Sequence, residues 1–335
     1  MTLRIGKISF WHVHAWDYTK QAQEHPDTKI AAVWDDEPQR GKAAAEQLSV
    51  PFYDSLDEML KRDDIDAVIV DAPTRMHREV IVAAAKAGKH IFTEKVLAPT
   101  VKEVNEILAE VEQSGVKLTV SLPRLNSGST LAIHEILDKG LLGRLTLVRV
   151  RLSHNGATAG WLPEHFFDLD NCLGGALIDL GCHPMYLTRL FLGEEPVDVS
   201  ARYSFITGKE VEDNAVSVLS TKSGAIGIVE AGFVNSHSPF TIEIHGTDGT
   251  LMYGTPDAKL LLRTSRGDQA LADGWQEQAL PDDRESAFHQ WVNHIQSNTT
   301  ADENIRLAVE LTKLMEASTI SAREHCAVRL DGLER

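Results

Sequence analysis

Three pairs of residues in this chain have the types and spacing to do chemistry. Glu94-Lys95 stands just past a short apolar run, His90-Ile91-Phe92-Thr93. Ligands gather at the carboxyl ends of parallel strands, so a lysine there can set a positive charge beside a developing alkoxide. The same dipeptide on a surface is an ordinary ion pair. Asp179 and His183 lie four apart in "GGALIDLGCH", which runs from Gly174 to His183, so one predicted helix over Gly175–Phe191 puts them on one face. An aspartate beside a histidine can move a proton near neutral pH, and it can equally be a satisfied pair in a packing layer. His12-Val13-His14 follows the first strand, and two imidazoles spaced this way in an extended segment can share a metal ion. A metal hydrolase of that kind requires further strand–helix units ending in His or Asp.

The elements that must carry these residues change character along the chain. Up to about residue 120, strand and helix alternate with short connections. Strands are expected at Leu3–Ser9, Lys29–Trp34, Ala67–Val70, His90–Thr93 and Val116–Val120, with helices between them. Ala67-Val68-Ile69-Val70 is a continuous apolar run, as in a strand buried on both faces. Thr100 and Glu103 form a capping box ahead of the apolar stripe Val101, Val104, Leu108 and Val111. This alternation implies a parallel, doubly wound sheet. Beyond it, Leu145–Leu152 alternates as a strand, and from Val197 to Leu262 come several β-rich runs separated by turn residues. Lys222-Ser223-Gly224 and Thr247-Asp248-Gly249 read as hairpin turns. Helices near Glu285–Gln296 and Glu303–Arg323 close the chain. The fold expected is therefore α/β. A Rossmann-type dinucleotide-binding domain spans residues 1–121, and an α/β domain with a largely antiparallel open sheet spans 122–335, its final helices free to pack back on the first domain.

The loop after the first strand, "ISFWHVHAW", departs from a dinucleotide fingerprint. That fingerprint needs G-x-G-x-x-G so that backbone can approach the pyrophosphate. Here the three positions hold Ser9, Trp11 and His14. Asp35 remains after the second strand, where an acidic residue holds a ribose hydroxyl, although a helix N-cap is the plainer use of it. Asp36 follows, and Arg40 lies one turn on. Two carboxylates would repel a 2′-phosphate, which favours NAD over NADP, with Arg40 a partial offset. The expectation for the loop is that Ser9, His12 and His14 supply donors and that Trp11 pushes the phosphates outward unless its indole turns away.

Taken in order, the βαβ domain, Glu94-Lys95, the Gly174–His183 segment and the late "EIHGTDGTL" resemble the Gfo/Idh/MocA oxidoreductases, named for glucose–fructose oxidoreductase and inositol dehydrogenase. The likeness covers nearly the whole chain. "DAPTRMH", Asp71–His77, looks like the family's loop after the fourth strand, which implies that Pro73, Thr74 and His77 lie against the cofactor. Two features depart from the family: the lost glycines, and Glu94-Lys95-Val96 where the family has Glu-Lys-Pro. The resemblance implies a nicotinamide-dependent dehydrogenase acting on a secondary alcohol of a sugar, inositol or related polyol. In it Lys95, Asp179 and His183 form the catalytic set, with His183 as general base, Lys95 stabilising the alkoxide and Asp179 orienting the substrate hydroxyl or Lys95. Glu94 and Lys95 would also line the cofactor. Arg124, Trp161 and His165 are further candidates for the substrate pocket, Trp161 by stacking on a sugar face.

Composition bounds these readings. A chain of 335 residues suits two domains. The formal net charge of −16 argues against nucleic acid and anionic membrane as partners. No apolar run is long enough to span a bilayer, and no secretion signal is legible at the N-terminus. Three widely spaced cysteines, Cys172, Cys182 and Cys326, fit a reducing cytoplasm better than a disulfide framework. A sheet of about six strands with apolar residues on both faces needs cover on both, so a homodimer or homotetramer through the C-terminal sheet is expected. A ligand-binding family member without catalysis is the remaining alternative.

Overall fold

The computed structural model describes residues 2–255 and 257–333. The chain divides into two compact units, Met1–Leu122 with Glu285–Val309, and Pro123–Arg284 with Glu310–Arg335.

The first unit is built on six parallel strands: β1 (Leu3–Ile8), β2 (Thr28–Trp34), β3 (Phe52–Tyr53), β4 (Ala67–Val70), β5 (His90–Thr93) and β6 (Leu118–Val120). Their order is β3-β2-β1-β4-β5-β6, so the direction of winding reverses between β1 and β4. In such sheets the crevice for a ligand opens at that reversal, outside the carboxyl ends of the strands. The connecting helices are α1 (Ala15–Glu24), α2 (Pro38–Leu48), α3 (Leu56–Leu60), α4 (His77–Lys86) and α5 (Val101–Ser114). Every residue of β4 is buried, as its unbroken apolar run requires. The Thr100 hydroxyl caps α5, accepting from the Glu103 N–H at 3.3 Å, and Gly115 ends it at φ 67°.

The helix Ala287–Ser297 belongs to this unit. Its Phe288, Trp291 and Val292 share one face and pack with Ile5, Tyr18, Ile69 and Phe92. The chain therefore returns to cover apolar sheet that the alternating strands and helices leave open. One feature inside the sheet is charged. Lys7 reaches from β1 to an ion pair with Asp71, just past β4, and neither side chain is exposed.

The second unit holds a nine-stranded sheet. Helix α6 (Gly128–Asp138) leads into β7 (Leu145–Ser153), and α7 (Cys182–Leu192) precedes β8 (Pro196–Ser204), β9 (Asn214–Thr221), β10 (Ile226–Gly232), β11 (Thr241–Gly246), β12 (Gly249–Tyr253), β13 (Leu260–Thr264), β14 (Gln276–Gln278) and β15 (Val328–Arg329). The order is β14-β13-β12-β11-β7-β10-β9-β8-β15. β7 enters the middle and pairs in parallel with β10, while the other pairs are antiparallel. Both foreseen hairpins are present, β9–β10 turning at Gly224 with φ 90° and β11–β12 at Thr247-Asp248. The edge strands β14 and β15, of three and two residues, are too short to show a period.

The single helix expected over Gly175–Phe191 is broken. It becomes a one-turn helix, Ala176–Asp179, a turn at Leu180-Gly181, and then α7. At the break the Gly181 N–H reaches back to the Ala176 carbonyl at 2.9 Å, one residue further than a helix allows. A Cβ on Gly181 would lie 2.7 Å from the Leu177 carbonyl oxygen and 2.9 Å from Ala231, so glycine permits this close crossing. α7 covers one face of the sheet against β7 and β10. The later part of the helix Asp302–Glu324 lies on β8 and β9, through Ser321 to the Ala201 N–H and Ser318 to Ser217. No helix among the described residues is long and apolar enough to cross a membrane.

Candidate active site

In the first unit, the loop after β1 has one residue in a backbone conformation that glycine usually supplies. Ser9 has φ 65°, the left-handed region that glycine usually supplies. The Ser9 hydroxyl stabilises it, donating to Asp36 Oδ1 at 2.7 Å and accepting from the Trp11 N–H at 3.1 Å. The Trp11 side chain is buried. The expected phosphate-repelling bulk is thus folded into the protein. Helix α1 has no side-chain cap at His14, which leaves its first turn suited to an anion.

Asp35 is not placed to hold a ribose. Its carboxylate accepts from Phe10 N at 2.8 Å, Glu37 N at 2.9 Å, and Arg40 Nε and Nη2 at 3.0 and 2.6 Å. Four donors fill the four acceptor sites of a carboxylate, and the side chain is wholly buried. It pins the loop after β1 to the start of α2. Asp36, the next residue, keeps part of its carboxylate at the surface and bonds Ser9 and Arg40. Arg40 is tied to Asp35, Asp36 and Glu37 together, so its charge is already met. Of the two aspartates, only Asp36 keeps its carboxylate partly exposed.

At the carboxyl ends of β4 and β5 the chain presents Glu94 and Lys95. The Glu94 carboxylate is buried, accepts from its neighbour's N–H (Lys95 N, 2.8 Å) and takes a short hydrogen bond from the Tyr18 hydroxyl, which also lies 2.7 Å from Ser121 Oγ. Burial pushes its pKa up, but the charges of His12, Lys95 and His14 and the Tyr18 hydroxyl outweigh burial and hold it down at about 2. Lys95 Nζ lies 3.4 Å from His12 Nε2 and 3.9 Å from Glu94 Oε2. The Lys95–Val96 peptide is cis. His77 does not face outward: its ring is buried, with Nδ1 2.8 Å from the Val96 carbonyl and Nε2 3.1 Å from that of Ala72. It ties the loop after β4 to the turn that presents Lys95, and burial lowers its pKa. Pro73 and Thr74 open the short 3-10 turn within that loop, and Thr74 is buried.

His12, His14 and Glu94 bring one ligating atom each within 4.8 Å of one another. A cation there would meet the Lys95 amine across His12 and compete for a carboxylate already bonded to Tyr18. The trio therefore reads as a hydrogen-bonded network, and the metal-hydrolase reading also lacks the repeated strand–helix units it requires, because the second unit is a largely antiparallel sheet.

The second unit carries Asp179 and His183. Because the helix is broken between them, the shared helical face expected from their spacing does not exist. Asp179 closes the one-turn helix, and its charge reaches His154 and Cys172. His183 stands in the first turn of α7 with Nδ1 3.1 Å from the Tyr186 hydroxyl, which accepts the Arg124 N–H at 3.1 Å. Tyr186, three residues on and wholly buried, thus sets the ring of His183. The Arg124 guanidinium lies over Phe240 at 4.1 Å. Trp161 is exposed, bonds Asn155 through Nε1 at 3.3 Å and packs on His154, whose ring stacks on Phe233. Burial pushes the pKa of His154 down against the pull of Asp179. The His165 carbonyl accepts from the thiol of Cys172, which burial pushes up to about 12, far from a reactive thiolate.

Glu212 has no signal in sequence, yet it holds the Gly174–Asp179 segment. Its carboxylate accepts from Gly175 N at 2.8 Å and Leu177 N at 2.9 Å, and its own carbonyl accepts from Ala176 N. Burial raises its pKa to about 7 despite those two bonds.

Residues 5–122 match the model of the oxidoreductase family with an NAD-binding Rossmann fold, and residues 130–252 match the GFO/IDH/MocA C-terminal domain. The chain is 28% identical to the 1,5-anhydro-D-fructose reductase of Ensifer adhaerens over 88% of its length and 91% of that protein. It is 27% identical to the myo-inositol 2-dehydrogenase of Thermotoga maritima over 80% of each. The solved structure of levoglucosan dehydrogenase in complex with NADH and levoglucosan shares the fold, with a TM-score of 0.82 over 98% of this chain and all of that one at 20% identity. With both halves matched in the expected order, the chain belongs to the Gfo/Idh/MocA family of NAD-binding oxidoreductases.

Proposed function

We propose that this protein oxidises a secondary alcohol of a sugar, an inositol or a related polyol, or reduces the corresponding ketone, with NAD as the hydride partner. The observation that carries the reading is Lys95, buried beside Glu94 at the carboxyl edge of the parallel sheet. A surface ion pair would not be enclosed in this way. Relatives named as an inositol dehydrogenase and an anhydrofructose reductase support the substrate class. The nicotinamide supplies hydride exchange when bound. The family resemblance implies His183 as general base, Lys95 stabilising the alkoxide and Asp179 orienting the substrate hydroxyl or Lys95. Arg124, Trp161 and His165 are proposed for the substrate pocket.

Asp36 and the carboxylate-bound Arg40 support NAD over NADP. The open face of the sheet in the second unit supports a homo-oligomer. That face carries Arg149 across from Glu230 at 3.0 Å and Glu243 at 3.7 Å, all partly exposed. The test is a screen of sugars and inositols with each nicotinamide cofactor, read at the absorbance of the reduced form. The reading expects turnover with at least one cyclic polyol and NAD, and no turnover after Lys95→Ala.

A further inference from the structure

The one-turn helix that ends at Asp179 cannot hold itself. Its four residues, Ala176–Asp179, make barely one turn, and a first turn is unfavourable until further turns or neighbours add to it. The N–H groups at its start have no partner within the helix. Glu212 takes three of them. Its carboxylate accepts from Gly175 at 2.8 Å and Leu177 at 2.9 Å, and its carbonyl accepts from Ala176 at 2.8 Å. A negative charge is favourable at that end of a helix, and it strengthens the two side-chain bonds. The approach is so close that a Cβ on Gly175 would lie 2.0 Å from the Glu212 carbonyl oxygen, so the clamp needs glycine there. Glu212 is itself fixed through its neighbour. The Asp213 carboxylate accepts from Ile206 N at 2.9 Å and Thr207 N at 2.6 Å, its N–H donates to the Ser204 carbonyl at 3.0 Å, and its carbonyl accepts from Phe233 N at 2.8 Å. The clamp is thus tied to the ends of β8 and β10. Burial pushes the Glu212 carboxyl up to about 7 against its two N–H bonds, and the charge of Asp213 adds to the push. A carboxyl so placed works against folding at neutral pH, so packing alone does not account for it.

Resting on the function proposed above, we propose that Glu212 is a positioning residue of the reaction, clamping the start of the one-turn helix so that Asp179, at its end, keeps the orientation in which it meets the substrate. Glu212 itself touches no reacting atom. Its bonds fix one end of the helix, and the close crossing at Gly181 fixes the chain just beyond the other. Asp179 stands between these two anchors, one turn from the first and two residues from the second. Catalytic geometry is sensitive at this scale: a displacement of about 1 Å, caused far from the chemistry, costs about 10²-fold in rate.

Two variants grade the clamp. Glu212→Gln keeps an oxygen for one N–H and turns its own NH2 toward the other, and Glu212→Ala loses both side-chain bonds. The first arm needs no substrate. In hydrogen exchange read by mass spectrometry, the segment 174–180 should exchange at least about tenfold faster in Glu212→Gln, with β9 and β10 unchanged. Protection kept in that segment overturns the clamp. In turnover of a polyol with NAD, kcat should fall about tenfold in Glu212→Gln and about 10²-fold in Glu212→Ala, with KM moving about twofold or less. If Glu212→Ala does not fold, Glu212→Gln carries the test. NADH affinity, read by fluorescence, should not change in Glu212→Gln. In single turnovers at high enzyme concentration, Glu212→Gln added to Asp179→Asn should lower the rate no further, because one residue acts through the other. The same proportional loss in both backgrounds would make Glu212 a residue of stability alone and overturn the proposal. So would a loss confined to KM, or one shared by NADH affinity. A wild type inactive on every polyol would bring down the functional reading, while the hold of Glu212 on the segment is still decided by exchange.

Discussion

Asp35 and Asp36 look interchangeable in sequence, and their surroundings separate them. Asp35 spends its carboxylate on Phe10, Glu37 and Arg40, whereas Asp36 keeps an oxygen toward the surface. Asp36→Ala should therefore weaken NAD binding by about 1.5–3 kcal/mol, the worth of a hydrogen bond to a charged group, and narrow the preference over NADP. Asp35→Ala should act first on the melting temperature, since it leaves buried N–H groups unpaired. Fluorescence titration with both reduced cofactors, beside a thermal melt, separates the two; equal loss of affinity without loss of stability in Asp35→Ala would give the ribose contact to Asp35. Lys7 and Asp71 make a second residue-scale case. Removing one partner of a fully buried pair strands the other charge, so Lys7→Met should cost about 3–5 kcal/mol in urea unfolding. Lys7→Met with Asp71→Leu should recover most of that loss.

At the scale of elements, the broken helix that carries Asp179 depends on one glycine and one glutamate. A side chain at Gly181 would strike the Leu177 carbonyl and Ala231, so Gly181→Val should cost about 1–3 kcal/mol from overpacking. Glu212 anchors the same segment from a buried position, with a pKa raised from the ordinary 4.5 to about 7. The folded state holds this proton more tightly than the unfolded chain does. Below the unfolded value both states are protonated. As pH rises from about 4.5 to 7 only the folded state still binds the proton, so stability from this group falls, by about 3 kcal/mol across the window. Melting temperatures taken from pH 4.5 to 8 should show this decline against Glu212→Gln, in which the group no longer titrates. Parallel curves for the two proteins would mean that the two backbone N–H bonds, and not burial, govern the carboxyl.

For the whole molecule, the nine-stranded sheet has helices on one face and a band of partly exposed Arg149, Glu230 and Glu243 on the other. We propose that a second copy covers this face, Arg149 of each meeting the acidic pair of the other. Light scattering at micromolar concentration should give a multiple of 37.0 kDa. Arg149→Glu should shift it toward the monomer while the chain stays folded. A monomer in the wild type would leave that face with another use.

The sequence by itself determined the parallel sheet and its helices, because buried strands, capping boxes and glycine stops are local signals written within a few residues of each other. It also determined both hairpins of the second sheet and the placing of Lys95 at a strand end. It marked His12, Asp35, Asp179 and His183 as residues of interest, but not their partners. Only the tertiary structure decided that Asp35 is saturated, that Asp179 and His183 stand on separate helices, that Tyr186 sets His183, and that His12 touches Lys95. Except for Tyr186, one turn from His183 on the same helix, those facts rest on contacts between residues up to 83 positions apart and on a glycine whose need is steric, and no period or motif along a chain encodes either.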